Sequence, residues 1–115
     1  MTNDAVTVVT QVPTDVALTP NAVLRCRVEE LNVADQRPIV VGSRTVPVEP
    51  TAGRLEVTLP VDEGLDPQSA YGVFLHLDAG GTGAVDVGDA ITTETVPVLT
   101  HGGAERVDVQ LHRVG

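Results

Sequence analysis

Apolar residues recur at every second position along several short stretches of this chain. The pattern is clearest in Ala22–Leu31, Arg54–Val61 and Ala70–Asp78, each with four alternating apolar positions. Because successive side chains of a β-strand point to opposite faces, the pattern is typical of a strand with one buried face and one face in solvent. The predicted inward positions are Ala22, Leu24, Cys26, Val28, Leu55, Val57, Leu59, Val61, Tyr71, Val73, Leu75 and Leu77.

Weaker versions of the pattern predict further strands. They lie at Ala5–Val12, Pro38–Val48, Ala84–Val87, Thr92–Leu99 and Arg106–Val114. Gly42 breaks the alternation, which predicts a bulge or kink, and Pro97 indicates an edge strand because proline has no N–H to donate. Seven or eight strands without a helical period predict an all-β fold, an antiparallel β-sandwich of Ig-like or transthyretin-like type. We expect one domain over residues 1–115, with residues 1–4 disordered.

The charge of the chain excludes some classes of partner. Sixteen acids against seven bases give a formal net charge of −9, and all seven bases are arginine. A surface this negative repels phosphate backbones and anionic lipid, so we expect no nucleic-acid partner. No apolar run is long enough to span a bilayer, and the start of the chain does not have the pattern of a signal peptide, so we expect membrane attachment only through an anchor absent from this chain.

Four side chains on the outward faces of predicted strands are candidates for binding a partner protein. They are Arg25, Arg27, Phe74 and His76. Phe74 is one of two aromatic residues, and an exposed aromatic near arginines is typical of an interface hot spot. The alternative is that a loop or the N-terminal segment covers Phe74.

A glycine-rich segment lies between Asp78 and Asp89, with Asp86 inside it. Carboxylates around such a loop are the ligands that calcium prefers, although the spacing is not that of an EF-hand and glycines with aspartates are also ordinary hairpin residues. The segment lacks the lysine and the helix of a phosphate-binding loop. Calcium is the one metal for which the sequence offers ligands, and we predict no other cofactor.

The remaining reactive residues favour structural interpretations. His76, His101 and His112 share no ligand spacing, so we expect solvated imidazoles. Cys26, the only cysteine, lies among apolar positions and is expected to be an inert core residue. The acids Asp62, Glu63 and Asp66 are expected to form a solvated turn rather than a pair of glycosidase carboxylates.

Several segments together resemble a known family. They are Leu18–Val23, Arg27–Glu30, Leu65–Val73, Gly88–Thr93 and Val96–Gly102, the last containing Pro-Val-Leu-Thr-His-Gly. In this order they are similar to the YbaY-type lipoprotein domain, which is grouped with the YscW-like lipoprotein chaperones (pilotins) of type III secretion. The resemblance extends from about Thr7 to Val114.

The resemblance implies a β-sandwich without catalytic residues. It also implies a bacterial envelope setting if a leader precedes the native chain, where pilotin-like members help a secretin subunit to reach or assemble in the outer membrane. Without a leader, the start of the chain predicts a cytoplasmic protein. The chain has no lipobox cysteine, so the resemblance does not carry over a lipid anchor. The leading hypothesis is a non-enzymatic, chaperone-like module that holds a segment of a secretion or envelope protein on a sheet face or edge. The alternative is a small-ligand, glycan or calcium-binding domain that uses loop 78–89; a hydrolase has only scattered acids and histidines in its favour.

Overall fold

The computed structural model describes residues 5–31, 39–62, 69–99 and 105–115. These residues form nine β-strands, and among them there is no helix that could cross a membrane. The strands are β1 (Ala5–Gln11), β2 (Val23–Glu30), β3 (Ile39–Pro47), β4 (Arg54–Pro60), β5 (Tyr71–Asp78), β6 (Ala90–Ile91), β7 (Val96–Val98), β8 (Glu105–Val109) and β9 (His112–Arg113). The predicted all-β fold is confirmed, with two sheets arranged as a sandwich.

The smaller sheet has the order β4-β1-β8. Strand β1 pairs antiparallel with β4 along its whole length, from Ala5 opposite Pro60 to Gln11 opposite Arg54. It pairs parallel with β8, which the chain reaches only after passing through the other sheet. This is the one parallel pair among the described strands, and it joins the two ends of the chain.

The larger sheet has the order β3-β2-β5-β6-β9, and β7 also pairs with β5. Along β5, Tyr71–Val73 pairs with β7 and the stretch around His76 pairs with β6, so two short strands divide one edge between them. The prediction that Pro97 marks an edge strand is confirmed, because β7 pairs with β5 and with no other described strand. Strand β3 forms the opposite edge.

The alternating apolar residues form the core between the sheets. All twelve predicted inward positions are buried except Leu55, which is partly buried against the same cluster. Leu24, Leu59 and Leu77 have no exposed surface. Burying an aliphatic side chain of this size stabilises a fold by about 1.5–3 kcal/mol, so the predicted core residues are a main source of stability.

Two local predictions have different outcomes. The predicted irregularity at Gly42 is confirmed as a bulge, because Val28 pairs with Gly42 and the next residue, Glu29, pairs with Val40. The weak strand predicted at 84–87 is wrong, since these residues form bends and turns between β5 and β6. The N–H groups of Ala84 and Asp86 are accepted by side chains, those of Thr82 and Asp89, rather than by a neighbouring strand.

Candidate functional site

The four predicted partner-binding residues meet on one surface of the larger sheet. Arg25 lies opposite His76 and Arg27 opposite Phe74 in the antiparallel β2–β5 register. Residues directly opposite each other in a sheet share a face, so all four side chains lie on the side away from the core. We call this surface, formed by β2, β3 and β5, the outer face.

The centre of the outer face is a contact between Arg27 and Phe74. The guanidinium carbon of Arg27 lies 5.3 Å from the centroid of the Phe74 ring, within the range of a cation–π interaction. Arg27 also forms an ion pair with Glu29, and 49% of its side chain stays exposed. Phe74 is half-buried. Arg27 therefore covers part of the Phe74 ring.

Next to this contact, Arg25 forms an ion pair with a fully buried carboxylate. Its Nη2 lies 3.0 Å from Oδ2 of Asp78, and 37% of the Arg25 side chain is exposed. Burial by itself raises the pKa of Asp78, but the N–H groups of Gly83 and Thr82 and the Arg25 side chain donate hydrogen bonds to this carboxylate. The net effect is that the pKa of Asp78 lies below its ordinary value.

His76 is buried, so the expectation of a solvated imidazole is wrong for this residue. The chain after β5 folds back over it, and Nε2 of His76 lies 2.7 Å from Oδ2 of Asp89. Only 9% of the His76 side chain remains exposed. Direct contact between His76 and a partner stays a prediction, and the structure favours a supporting role beneath the loop.

The carboxylate of Asp89 holds the other half of the glycine-rich loop. Its Oδ1 accepts the N–H of Ala79 at 3.0 Å, and its Oδ2 accepts the N–H of Asp86 at 3.0 Å. Burial raises the pKa of Asp89, but the hydrogen bonds from His76, Asp86 and Ala79 outweigh it and lower this pKa below its ordinary value. The loop conformation thus depends on two buried, ionised carboxylates, those of Asp78 and Asp89.

The same hydrogen bonds bear on the calcium hypothesis. Ligand atoms of His76, Asp78 and Asp89 lie within 4.8 Å of one another, a spacing suited to a metal ion. Every oxygen of the two buried aspartates already accepts an N–H, and Oδ2 of Asp86 accepts the hydroxyl of Thr82 at 2.5 Å. A cation would have to displace the guanidinium of Arg25 and several amides. Calcium binding at Asp78, Asp86 and Asp89 stays a prediction that this arrangement disfavours.

The small-ligand alternative has one feature in its favour. A cleft of about 330 Å³ lies between the loop and the segment before β2, with Asp86, Asp89 and Arg113 among its lining residues. Asp89 already has a full set of partners from the chain itself, so its carboxylate is not available to a ligand without breaking those bonds.

Two apolar residues of the outer face were not identified from the sequence. Val40, which precedes the bulge in β3, lies opposite Glu29 and is 49% exposed. Leu31 is 37% exposed, and its methyl groups lie over Gly72, where a Cβ would stand 3.2 Å from them. Val40 lies where the bulge interrupts the alternation of β3. Leu31 continues the outward series of β2, but it is the last residue of the predicted strand and was not singled out there.

The other candidate residues lie elsewhere. Cys26 is buried in the core, and burial raises the pKa of its thiol to about 12 despite the nearby charge of Arg44, which matches the predicted inert role. His112 is exposed on β9. His101, Glu63, Asp66, residues 1–4 and parts of the segments Leu65–Val73 and Val96–Gly102 lie outside the described residues.

Comparisons with known proteins identify a family from the sequence and a shared fold from the structure. The sequence model of the YscW family, described as a type III secretion system lipoprotein chaperone, matches residues 1–111. A solved structure, described as an alternative pilotin from the type II secretion system of Vibrio cholerae, has a TM-score of 0.79 with 20% identity, and the match covers 99% of each chain. At this identity the likeness shows a shared fold. No curated protein matches the chain. The resemblance to YscW-like lipoprotein chaperones is confirmed.

Proposed function

This chain belongs to the YscW family of type III secretion system lipoprotein chaperones, and from that premise we propose that it holds a segment of a secretin subunit on the outer face. The family is described as chaperones and not as enzymes. We infer a non-enzymatic role, in which the fold presents a binding surface and no bond is made or broken.

The observation that carries the proposal is the composition of the outer face. Phe74, Leu31 and Val40 supply apolar surface in a face that also carries Arg25 and Arg27. Aromatic residues and arginines are enriched among the residues that dominate binding energy at protein interfaces. The ion pairs with Asp78 and Glu29 hold both arginines in place, so less side-chain entropy is lost when a partner binds.

The open edge of the larger sheet gives the same surface a second means of binding. Among the described strands, β3 pairs only with β2, so its other edge is open. It has nine residues, whereas β7, the edge strand that the sequence indicated, has three, so β3 offers the longer edge. The carbonyl of Val41 already accepts the N–H of Asp62 at 2.8 Å. The part of β3 after the bulge therefore offers the better place for an added strand from a partner.

The test is the affinity of the full chain for recombinant secretin subunits from the same genome, measured by titration calorimetry. We expect Phe74→Glu to weaken binding at least about 30-fold, because a charge would replace the aromatic centre of the interface. The fold should tolerate the change, since a glutamate at position 74 lies beside the Arg27 guanidinium.

Thr58→Glu is the matched control, since Thr58 is exposed on the smaller sheet. Val40→Gln is a second variant on the outer face; it removes apolar surface at the exposed edge without placing a charge opposite Glu29. If no secretin subunit binds, or if both outer-face variants bind as tightly as Thr58→Glu, the proposed function of this face is wrong.

A further inference from the structure

A larger recess lies on the smaller sheet, away from the outer face. Strands β1 and β8 run parallel as far as the pair Thr10–Val109. Beyond this pair the two strands separate. Strand β1 continues to Gln11 beside β4, whereas the segment after β8 crosses to β9 in the larger sheet. The separation leaves an open cleft of about 870 Å³, which we call the strand-end cleft. This volume lies within the usual range of about 300–1,000 Å³ for ligand sites.

The lining of the strand-end cleft combines apolar surface with negative charge. Its apolar lining consists of Pro13, which is half-buried, and of the buried residues Val9, Val109 and Leu111. Its only charged lining residues are Asp15 and Asp108. Neither carboxylate forms a hydrogen bond or an ion pair with the described part of the chain. The charge of Asp108 does contribute to raising the pKa of Arg106. An occupant with an apolar part and a positive charge would satisfy both features.

The cleft continues into an unpaired strand edge. Among the described strands, β8 pairs only with β1, so its other edge has no strand beside it from residue 106 onward. The one basic residue of β8, Arg106, is held by Glu56 at 2.9 Å and does not neutralise the cleft. An extended peptide can form backbone hydrogen bonds with such an edge while its side chains enter a neighbouring pocket.

We propose that the strand-end cleft and the free edge of β8 bind an extended peptide segment that carries apolar residues and at least one lysine or arginine. The apolar side chains pack against Pro13 beside Val109 and Leu111, and the basic side chain lies between Asp15 and Asp108. This site is separate from the outer face, so the chain has two surfaces for protein segments, and the second does not depend on the function proposed for the first.

Selection from a display library of short random peptides, with the full 115-residue chain as bait, tests the chemistry of the occupant. We expect the selected peptides to be enriched in basic and apolar residues. A titration of the ¹⁵N-labelled chain with one selected peptide tests the location, and the backbone amide signals of Gln11, Gln110 and Leu111 should shift while those of Arg27 and Phe74 do not.

The matched variants separate local charge from overall charge. Asp15→Asn together with Asp108→Asn should weaken binding about fivefold, because each lost charge pair at an exposed site is worth a small factor. Asp62→Asn together with Glu94→Gln also removes two negative charges, but from exposed positions outside the cleft. This double variant should leave the affinity for the peptide nearly unchanged.

Three results of these experiments, and a fourth with detergent micelles, would overturn the proposal. The first three are the selection of peptides without basic residues, amide shifts confined to the outer face, and equal weakening in both double variants. Shifts at the cleft with detergent micelles but with no peptide would assign the cleft to lipid instead. None of these results changes the secretin titration, which tests the outer face through Phe74.

Discussion

Asp78 and Asp89 show how single residues decide the shape of a loop. Both are buried, Asp78 at the end of β5 and Asp89 just before β6, whereas the sequence indicated only carboxylates around a flexible loop. Their carboxylates accept N–H groups that no strand partner accepts, including those of Thr82, Gly83 and Asp86. A buried carboxylate keeps its charge only when enough donors surround it, so loop geometry and ionisation state depend on each other.

This coupling predicts a loss of stability in acid. The folded-state pKa values of Asp78 and Asp89 lie below those of the unfolded chain. Between the two values the unfolded chain binds more protons, so the free energy of unfolding rises with pH there and falls as the pH drops below about 4. Urea unfolding followed at a series of pH values should show this decline, and Asp78→Asn should make it shallower.

At neutral pH, Asp78→Asn should lower the free energy of unfolding by about 1–3 kcal/mol, because an amide replaces an acceptor of the hydrogen bonds from Arg25 and Gly83. Asp86→Asn, an exposed carboxylate in the same loop, should change it by less than about 0.5 kcal/mol. Equal effects of the two substitutions would contradict the special role given to Asp78.

At the scale of elements, the bulge in β3 brings two parts of the chain into close contact. The α-carbon of Gly42 faces the segment that follows β4, and a Cβ built there would stand 2.6 Å from the carbonyl oxygen of Pro60 and 2.9 Å from Cγ1 of Val61. The adjacent carbonyl of Val41 accepts the N–H of Asp62. Glycine at this position thus allows the edge of the larger sheet to approach the end of a strand in the smaller sheet.

We therefore expect Gly42→Ala to lower the free energy of unfolding by about 1–3 kcal/mol, because backbone atoms would have to move to admit the methyl group. Gly53→Ala is the control, since no atom lies within 4 Å of a Cβ at that position. It should leave stability unchanged or raise it by up to about 1 kcal/mol through the unfolded chain. Thermal unfolding of the two variants measures the difference, and a Gly42→Ala protein as stable as Gly53→Ala would show that the contact can relax at little cost.

At the scale of the whole molecule, negative charge exceeds positive charge by nine. Arg25, Arg27, Arg54 and Arg106 each form an ion pair with an acid, and most of the other acids in the described part of the chain have no arginine beside them. The repulsion among these acids acts over distances comparable to the screening length in low salt. We therefore expect this repulsion to destabilise the folded state by more than the exposed ion pairs stabilise it.

Added salt should consequently stabilise this protein. Raising sodium chloride from about 20 mM to about 500 mM should raise the Tm by about 4 °C, because screening removes repulsion that the folded chain concentrates. The double variant Asp62→Asn/Glu94→Gln, with two fewer negative charges, should show a smaller rise. A Tm that falls with salt would mean that the ion pairs dominate.

The sequence by itself determined which residues form the core. A period of two in Ala22–Leu31, Arg54–Val61 and Ala70–Asp78 assigns each side chain to a face, because the geometry of a strand leaves only two directions. The same local information marked the bulge at Gly42 and the edge at Pro97. It also placed Arg25, Arg27, Phe74 and His76 on the outward faces of their strands, but that β2 and β5 are neighbours, which brings the four together, came from the fold.

Tertiary structure decided what covers each of those faces. Asp89 lies thirteen positions after His76, and no local pattern indicates that its carboxylate returns to bury the imidazole. The parallel pairing of β1 with β8, and hence the strand-end cleft, depends on contacts between residues about 100 positions apart. Alternation fixes the direction of a side chain through local backbone geometry, whereas exposure depends on which distant segment packs over it, and only the folded chain contains that information.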